Sequence, residues 1–140
     1  MKLLGYIAIA TVLLTGSYGT IFPLIPPLAK TIYIYSGPGT SPVALKHTEY
    51  TLKKMVHQQY SFQKIGPEEV IQGTWVNNAV LFIMPGGADI PYGMSLNSKG
   101  NDNIQAYVQG GGAYLGFCAA AYYASKHIAF SAGTPLEVAG

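Results

Sequence analysis

Arginine is absent from this chain of 140 residues, and all eight of its basic side chains are lysines. Without a guanidinium there is no planar fork for bidentate recognition of phosphate or carboxylate. Charge of either sign is scarce: Asp, Glu, Lys and Arg make up 10% of the residues, and the formal net charge is +2. That balance leaves no electrostatic footprint for nucleic acid, so no nucleic-acid partner is expected. There is one cysteine, which rules out an internal disulfide framework. His47 and His57 are not spaced as a metal pair on a helix, and neither a P-loop ending nor a G-x-G-x-x-G loop occurs. No metal and no cofactor is expected. There is also no internal repeat.

What is present is apolar: 49% of the residues are hydrophobic. Lys2 precedes the uncharged run Leu3 to Leu14, followed by Thr15-Gly-Ser-Tyr-Gly19. A short positive start, an apolar core and small residues at a cut describe a secretory signal over residues 1–19. The alternative is a retained membrane anchor, since no charge falls between Lys2 and Lys30, a length that spans a bilayer. The expected localisation is therefore periplasmic or extracellular, or anchored to a membrane by this segment. Residues 20–30, with Pro23, Pro26 and Pro27, read as a lead-in, and the folded domain as 31–140.

Thr31 to Tyr35 is β-branched and aromatic, a strand. Ser36 to Pro42 is a glycine-rich loop. Val43 to Gln59 reads as a helix, with Ser41 as its cap and Pro42 in its first turn. Leu45, Thr48, Leu52, Met55, Val56 and Gln59 form its inner face. Tyr60 to Ile65 is mixed in polarity, as expected of an edge strand, and Gly66 to Ile71 forms a short helical turn. Trp75 is a core or rim aromatic. Ala79 to Met84 is apolar throughout, hence a central strand. Ile90 to Gly100 reads as a loop, rich in Gly, Asn and Ser. Asn101 or Asp102 then caps a helix from Asn103 to Gln109, with Ile104, Tyr107 and Val108 inward. Ile128 to Phe130 and Leu136 to Val138 give two more short strands.

The chain is organised around Gly110-Gly-Gly-Ala-Tyr-Leu-Gly-Phe-Cys118-Ala-Ala-Ala-Tyr-Tyr123. Glycines end one element, Ala113 to Phe117 forms a short strand covered on both faces, and the chain bends into a helix at Cys118. Gly116 and Ala119 to Ala121 are small, as a strained strand-to-helix nucleophile elbow requires. The amides at the start of the following helix favour negative charge on the residue at the bend.

Alternating strands and helices imply a doubly wound parallel sheet in three layers, α/β/α. Ligands sit at the carboxyl ends of strands in such sheets. The Ser36 to Pro42 loop, the Pro85 to Asp89 loop and the Cys118 bend converge there. A thiol beside a glycine loop whose free amides face a developing oxyanion suggests acyl transfer or hydrolysis through a thioester. The expected partner is a small-molecule amide or ester. Two other readings stay open: a non-catalytic small-molecule-binding or regulatory module, and a redox-sensing cysteine.

Phe82 to Tyr92 (FIMPGGADIPY) and Tyr107 to Ser125 (YVQGGGAYLGFCAAAYYAS) resemble the class I glutamine amidotransferase-like superfamily. The nearest resemblance within it is to the N-terminal domain of biotin–protein ligases and its stand-alone bacterial relatives. The resemblance covers Thr31 to Gly140. It implies a flavodoxin-like fold with Cys118 as nucleophile, and an oxyanion hole from Gly86, Gly87 and the Ala119 amide. Gly37, Asp89, Tyr92 and Tyr122 are the expected pocket residues. In amidotransferases the thiolate attacks a glutamine side-chain amide, and a downstream histidine and glutamate complete the triad. This chain has Ala120 where many amidotransferases have glycine. His127 is its only histidine after Cys118, so a domain truncated at the C terminus is expected. The ligase's biotin and ATP chemistry belongs to a different domain.

Overall fold

Four apolar or half-apolar runs become the strands of one sheet: β1 (Lys30–Tyr35), β2 (Tyr60–Ile65), β3 (Ala79–Met84) and β4 (Ala113–Gly116). The structure is a computed structural model and describes residues 30–126, 129–130, 133–134 and 138–139. The expected signal or anchor over 1–19 lies outside the described residues, as do His127 and the lead-in expected over 20–30 except for Lys30, which instead begins β1. The pairings within this sheet are all parallel, in the order β2-β1-β3-β4. Helices alternate with the strands: α1 (Pro42–Met55), α2 (Pro67–Gln72), α3 (Asp89–Gln109) and α4 (Ala119–Tyr123). The protein is thus an α/β domain built on a four-stranded all-parallel sheet. Its strand order is that of the first four strands of a flavodoxin-like sheet.

Right-handed crossovers put α1 on one face of this sheet and α2 and α3 on the other. The second face holds the core: Tyr33, Tyr35, Phe82 and Met84 from the strands meet Val70, Trp75, Tyr92, Leu96, Ile104 and Tyr107. Trp75 is a core residue on a 3-10 turn (Thr74–Asn77), its indole N–H donating to the Val70 carbonyl at 3.3 Å.

α1 starts as expected, with the Ser41 hydroxyl accepting from the Ala44 amide at 3.4 Å. It stops at Met55, four residues short of Gln59, because Val56 turns extended and His57 to Gln59 form a turn whose amides bond back to His57. Met55, expected inward, is 79% exposed.

α3 is the main departure. The stretch read as a loop from Ile90 to Gly100 is helical from Asp89. Pro91 falls in the first turn, where its missing N–H costs nothing. Tyr92, Leu96, Gly100, Ile104 and Tyr107 make one buried stripe. The helix breaks at Asn97, with φ 48° and ψ −169°, whose side chain accepts from the Lys99 amide at 2.8 Å. Asn97 therefore starts the second half of α3, in place of Asn101 or Asp102. Val108 faces outward, 44% exposed.

β4 also differs from expectation. It lies at one end of the sheet order. Tyr114 turns toward the core and stacks at 6.3 Å on Phe82, while Leu115 and Phe117 on the opposite face are 38% and 44% exposed. Beyond α4, Ala129–Phe130 (β5) pairs antiparallel with Val138–Ala139 (β6), separately from the main sheet. Among the described residues no helix is long and apolar enough to cross a membrane.

Candidate functional site

Three loops leave the carboxyl ends of the adjacent strands β1, β3 and β4. The chain moves from β1 to β2 in one direction and to β3 and β4 in the other, so the switch point lies between β1 and β3. Ligands of open α/β sheets bind in that crevice. Here the chain fills it with its own backbone. Thr40 and Gly87 form an isolated antiparallel bridge, with the Ser41 amide donating to the Gly86 carbonyl at 3.0 Å and the Ala88 amide to the Gly39 carbonyl at 2.8 Å. A Cβ on Gly87 would overlap the Gly39 carbonyl, so glycine is required for the two loops to approach. The pairing leaves the β3/β4 edge as the open side of the switch point.

Cys118 sits on that edge. The Phe117 amide still bonds to the Met84 carbonyl at 3.1 Å, and one residue later the chain turns into α4. The turn sets Cys118 at φ 53° and ψ −116°, a region costly for any residue with a Cβ. Ala120 and Ala121 donate to the carbonyls of Phe117 and Cys118 at 3.1 and 2.9 Å and close the bend. A Cβ on Gly116 would meet the Ala120 carbonyl at 2.7 Å, which explains the small residues around the turn. The thiol is exposed. Gly86 lies against it: a Cβ there would be 3.4 Å from Cys118 Cβ.

The structure thus brings Cys118, Gly86, Gly87 and Ala119 to one place. Gly86 and Ala119 are buried and Gly87 exposed. Asp89 is half-buried in the first turn of α3. Gly37 is half-buried and packs on the Tyr35 ring and Pro67, with no space for a side chain. Tyr122 is 45% exposed on α4. Tyr92, read from the sequence as a pocket residue, is fully buried. Its hydroxyl donates to the Pro85 carbonyl at 2.6 Å, and its ring packs edge-on to Tyr35 at 5.6 Å and to Tyr123 at 6.0 Å. It offers the loop a brace and a ligand no surface. His47 and His57 are exposed on and after α1.

Burial raises the pKa of Tyr92; the neighbouring Thr40 hydroxyl opposes that rise and negative charge at Cys118 adds to it. Thr40 Oγ1 is itself buried there without a hydrogen bond of good geometry. Tyr35 is also raised, first by burial, and its hydroxyl lies 2.8 Å from Ser95 Oγ. Sequence reasoning missed Thr40 and Ser95. The only signal for either was position: Thr40 ends the glycine loop, and Ser95 follows Tyr92 by one turn less a residue.

A groove of about 680 Å³ runs between α3, β4 and α4, past Ile104, Tyr114, Tyr123 and Lys126, and a cavity of about 480 Å³ opens at the other end of the sheet by Gly110 to Gly112. Neither is lined by Cys118. Among the described residues no cluster of His, Cys, Asp and Glu is arranged to hold a metal.

Comparison with known proteins places this chain in a family. An uncharacterized protein of Chlamydia muridarum is 39% identical over 103 residues, covering 72% of this chain and 40% of that protein. A biotin–protein ligase of Schizosaccharomyces pombe is 33% identical over 99 residues, 71% of this chain and 16% of that protein. The chain therefore spans less than half the length of either relative. No solved structure matches. Residues 30–140 match the family described as biotin-protein ligase, N terminal, so both loops of the Cys118 site lie within the matched region and the chain belongs to that family.

Proposed function

We propose that Cys118 is the nucleophile of a cysteine amidohydrolase-like centre that transfers an acyl group from a small amide or ester through a thioester. The observation that carries this reading is the backbone of Cys118. A solvent-exposed cysteine is held at φ 53° and ψ −116° on a strand-to-helix bend, which supports reading that bend as a nucleophile elbow. Such strain persists only where surrounding structure over-determines it, here with Gly86 so near that a Cβ on it would lie 3.4 Å from that of Cys118. In this reaction Sγ bonds to the substrate carbonyl carbon and the carbonyl oxygen becomes an oxyanion. The amides of Gly86, Gly87 and Ala119 are the donors assigned to that oxygen. Collapse breaks the carbonyl C–N or C–O bond, the leaving amine or alcohol takes up through water the proton the thiol lost, and an S-acyl enzyme remains; water then cleaves the thioester, releasing the carboxylic acid and restoring the thiol. The ligase activity named for the S. pombe relative is not carried over, since the match covers 16% of that protein.

The test is acylation of the full chain by p-nitrophenyl acetate, followed by intact mass and nitrophenolate release. The expected result is an acetyl group on Cys118, lost in Cys118→Ala, with turnover continuing beyond one equivalent. A stoichiometric adduct that does not turn over would instead favour a binding or regulatory module of the same fold.

A further inference from the structure

The three amides assigned to the oxyanion belong to three peptide units, and each unit is held at its carbonyl end. A trans peptide points its C=O and N–H in opposite directions, so fixing one carbonyl aims the amide of the next residue. The Gly86 carbonyl accepts from the Ser41 amide at 3.0 Å, which aims the Gly87 amide. The Cys118 carbonyl accepts from the Ala121 amide at 2.9 Å, which aims the Ala119 amide. The Pro85 carbonyl accepts from the Tyr92 hydroxyl at 2.6 Å, which aims the Gly86 amide. Two of the three locks are backbone to backbone. The third is a side chain, and it holds the amide of the residue beside Cys118.

We propose that Tyr92 is a positioning residue that, through the Pro85 carbonyl, holds the Gly86 amide toward the oxyanion formed at Cys118. The inference rests on the acyl-transfer reading above. Glycine at 86 makes the lock necessary, because a peptide unit followed by glycine rotates at little steric cost. The Tyr92 ring does not depend on its hydroxyl for its place: it is fully buried, wedged against Gly39 and packed on Tyr35 and Tyr123. Removing the oxygen alone therefore frees the Pro85–Gly86 peptide and leaves the core filled. A phenol is protonated, and so a donor, through neutral pH, and burial moves Tyr92 further in that direction.

The experiment compares two reactions of the same sulfur in the full chain and in Tyr92→Phe. With p-nitrophenyl acetate, Sγ bonds to the acetyl carbon, the ester C–O bond breaks, nitrophenolate leaves with the electron pair, and the thiol proton passes to water. An oxyanion forms on the way. With iodoacetamide, Sγ bonds to the methylene carbon and iodide leaves, with no oxyanion. The expected result is acylation slowed about tenfold or more, the scale of one misplaced oxyanion donor, with alkylation within about twofold of wild type. Two equal rates, or two rates that fall together, would overturn the proposal. If wild-type Cys118 is acylated no faster than in the unfolded chain, the acyl-transfer reading itself fails, a different outcome from a silent Tyr92. Should Tyr92→Phe not fold, the wild-type chain answers through NMR. Trifluoroacetone adds to Cys118 as a hemithioketal, whose oxyanion shifts the Gly86 amide proton downfield; an unmoved Gly86 amide overturns the assignment.

Discussion

Cys118 carries the backbone strain of the site, at φ 53° with a Cβ that the fold does not need. Strain of this kind costs about 1 to 3 kcal/mol, while replacing a side chain by glycine costs about 0.5 to 1 kcal/mol through the unfolded chain. The first outweighs the second, so Cys118→Gly is expected to be more stable than Cys118→Ala by about 1 kcal/mol. Urea unfolding of the two variants measures this. Equal stabilities, or a weaker glycine variant, would mean that the bend is relaxed and that the thiol is not held against a cost. The sequence showed part of this residue-scale picture. One cysteine among glycines and alanines marked the bend, and Pro85-Gly86-Gly87 marked a tight loop. It did not show that Gly87 faces the Gly39 carbonyl, because that contact joins two loops 48 positions apart and neither encodes the other. For the same reason Tyr92 looked like a pocket residue: an aromatic after a glycine loop reads alike whether it points outward or is buried under Gly39.

Among the elements, the strands were the most legible. β3 is apolar at every position and runs directly into Pro85, which ends it. α3 was the least legible in its first half, where Pro91, Gly93, Ser95, Asn97, Ser98 and Gly100 carry the composition of a loop. Burial overrides that composition through Tyr92 and Leu96, one turn apart, which pack into the core. Gly100 earns its place by packing: a Cβ there would lie 3.1 Å from Leu96 Cβ. Gly93 has no such reason, since a Cβ there meets nothing within 4 Å. Gly93→Ala is therefore expected to stabilise the protein by about 0.5 to 1 kcal/mol, the helix-propensity difference between the two residues. The thermal midpoint should rise without change in Cys118 acylation. A fall in the midpoint would show that this half of α3 is not helical in solution.

In the whole molecule, aromatic rings join the sheet to its covering helices. Trp75 packs on Phe82 at 4.6 Å and on Tyr107 at 4.9 Å, and Tyr92 bridges Tyr35 and Tyr123. The topology was legible, since alternating strands and helices admit few arrangements once crossovers are right-handed. The reliance on buried tyrosine was not, because 11 tyrosines in the chain include exposed ones such as Tyr50 and Tyr122. The phenols of Tyr35, Tyr92, Tyr107, Tyr114 and Tyr123 are all raised, in each case first by burial. Tyr123, whose hydroxyl donates to Asn101, reaches about 12. Below about pH 10, the unfolded tyrosine value, both states hold these protons and the five groups add no pH dependence. Above it the unfolded chain releases protons that the folded chain keeps, so stability falls as pH rises. The loss continues through the folded value, about 12 for Tyr123. Urea midpoints measured at about pH 7.5, 8.5 and 11.5 should be nearly equal for the first pair and clearly lower at the last. A midpoint that holds steady to about pH 11.5 would mean these phenols ionise alike in both states. The tyrosine layer between the sheet and α3 would then be open to water, and Tyr92 would lose the dry setting in which it braces Pro85.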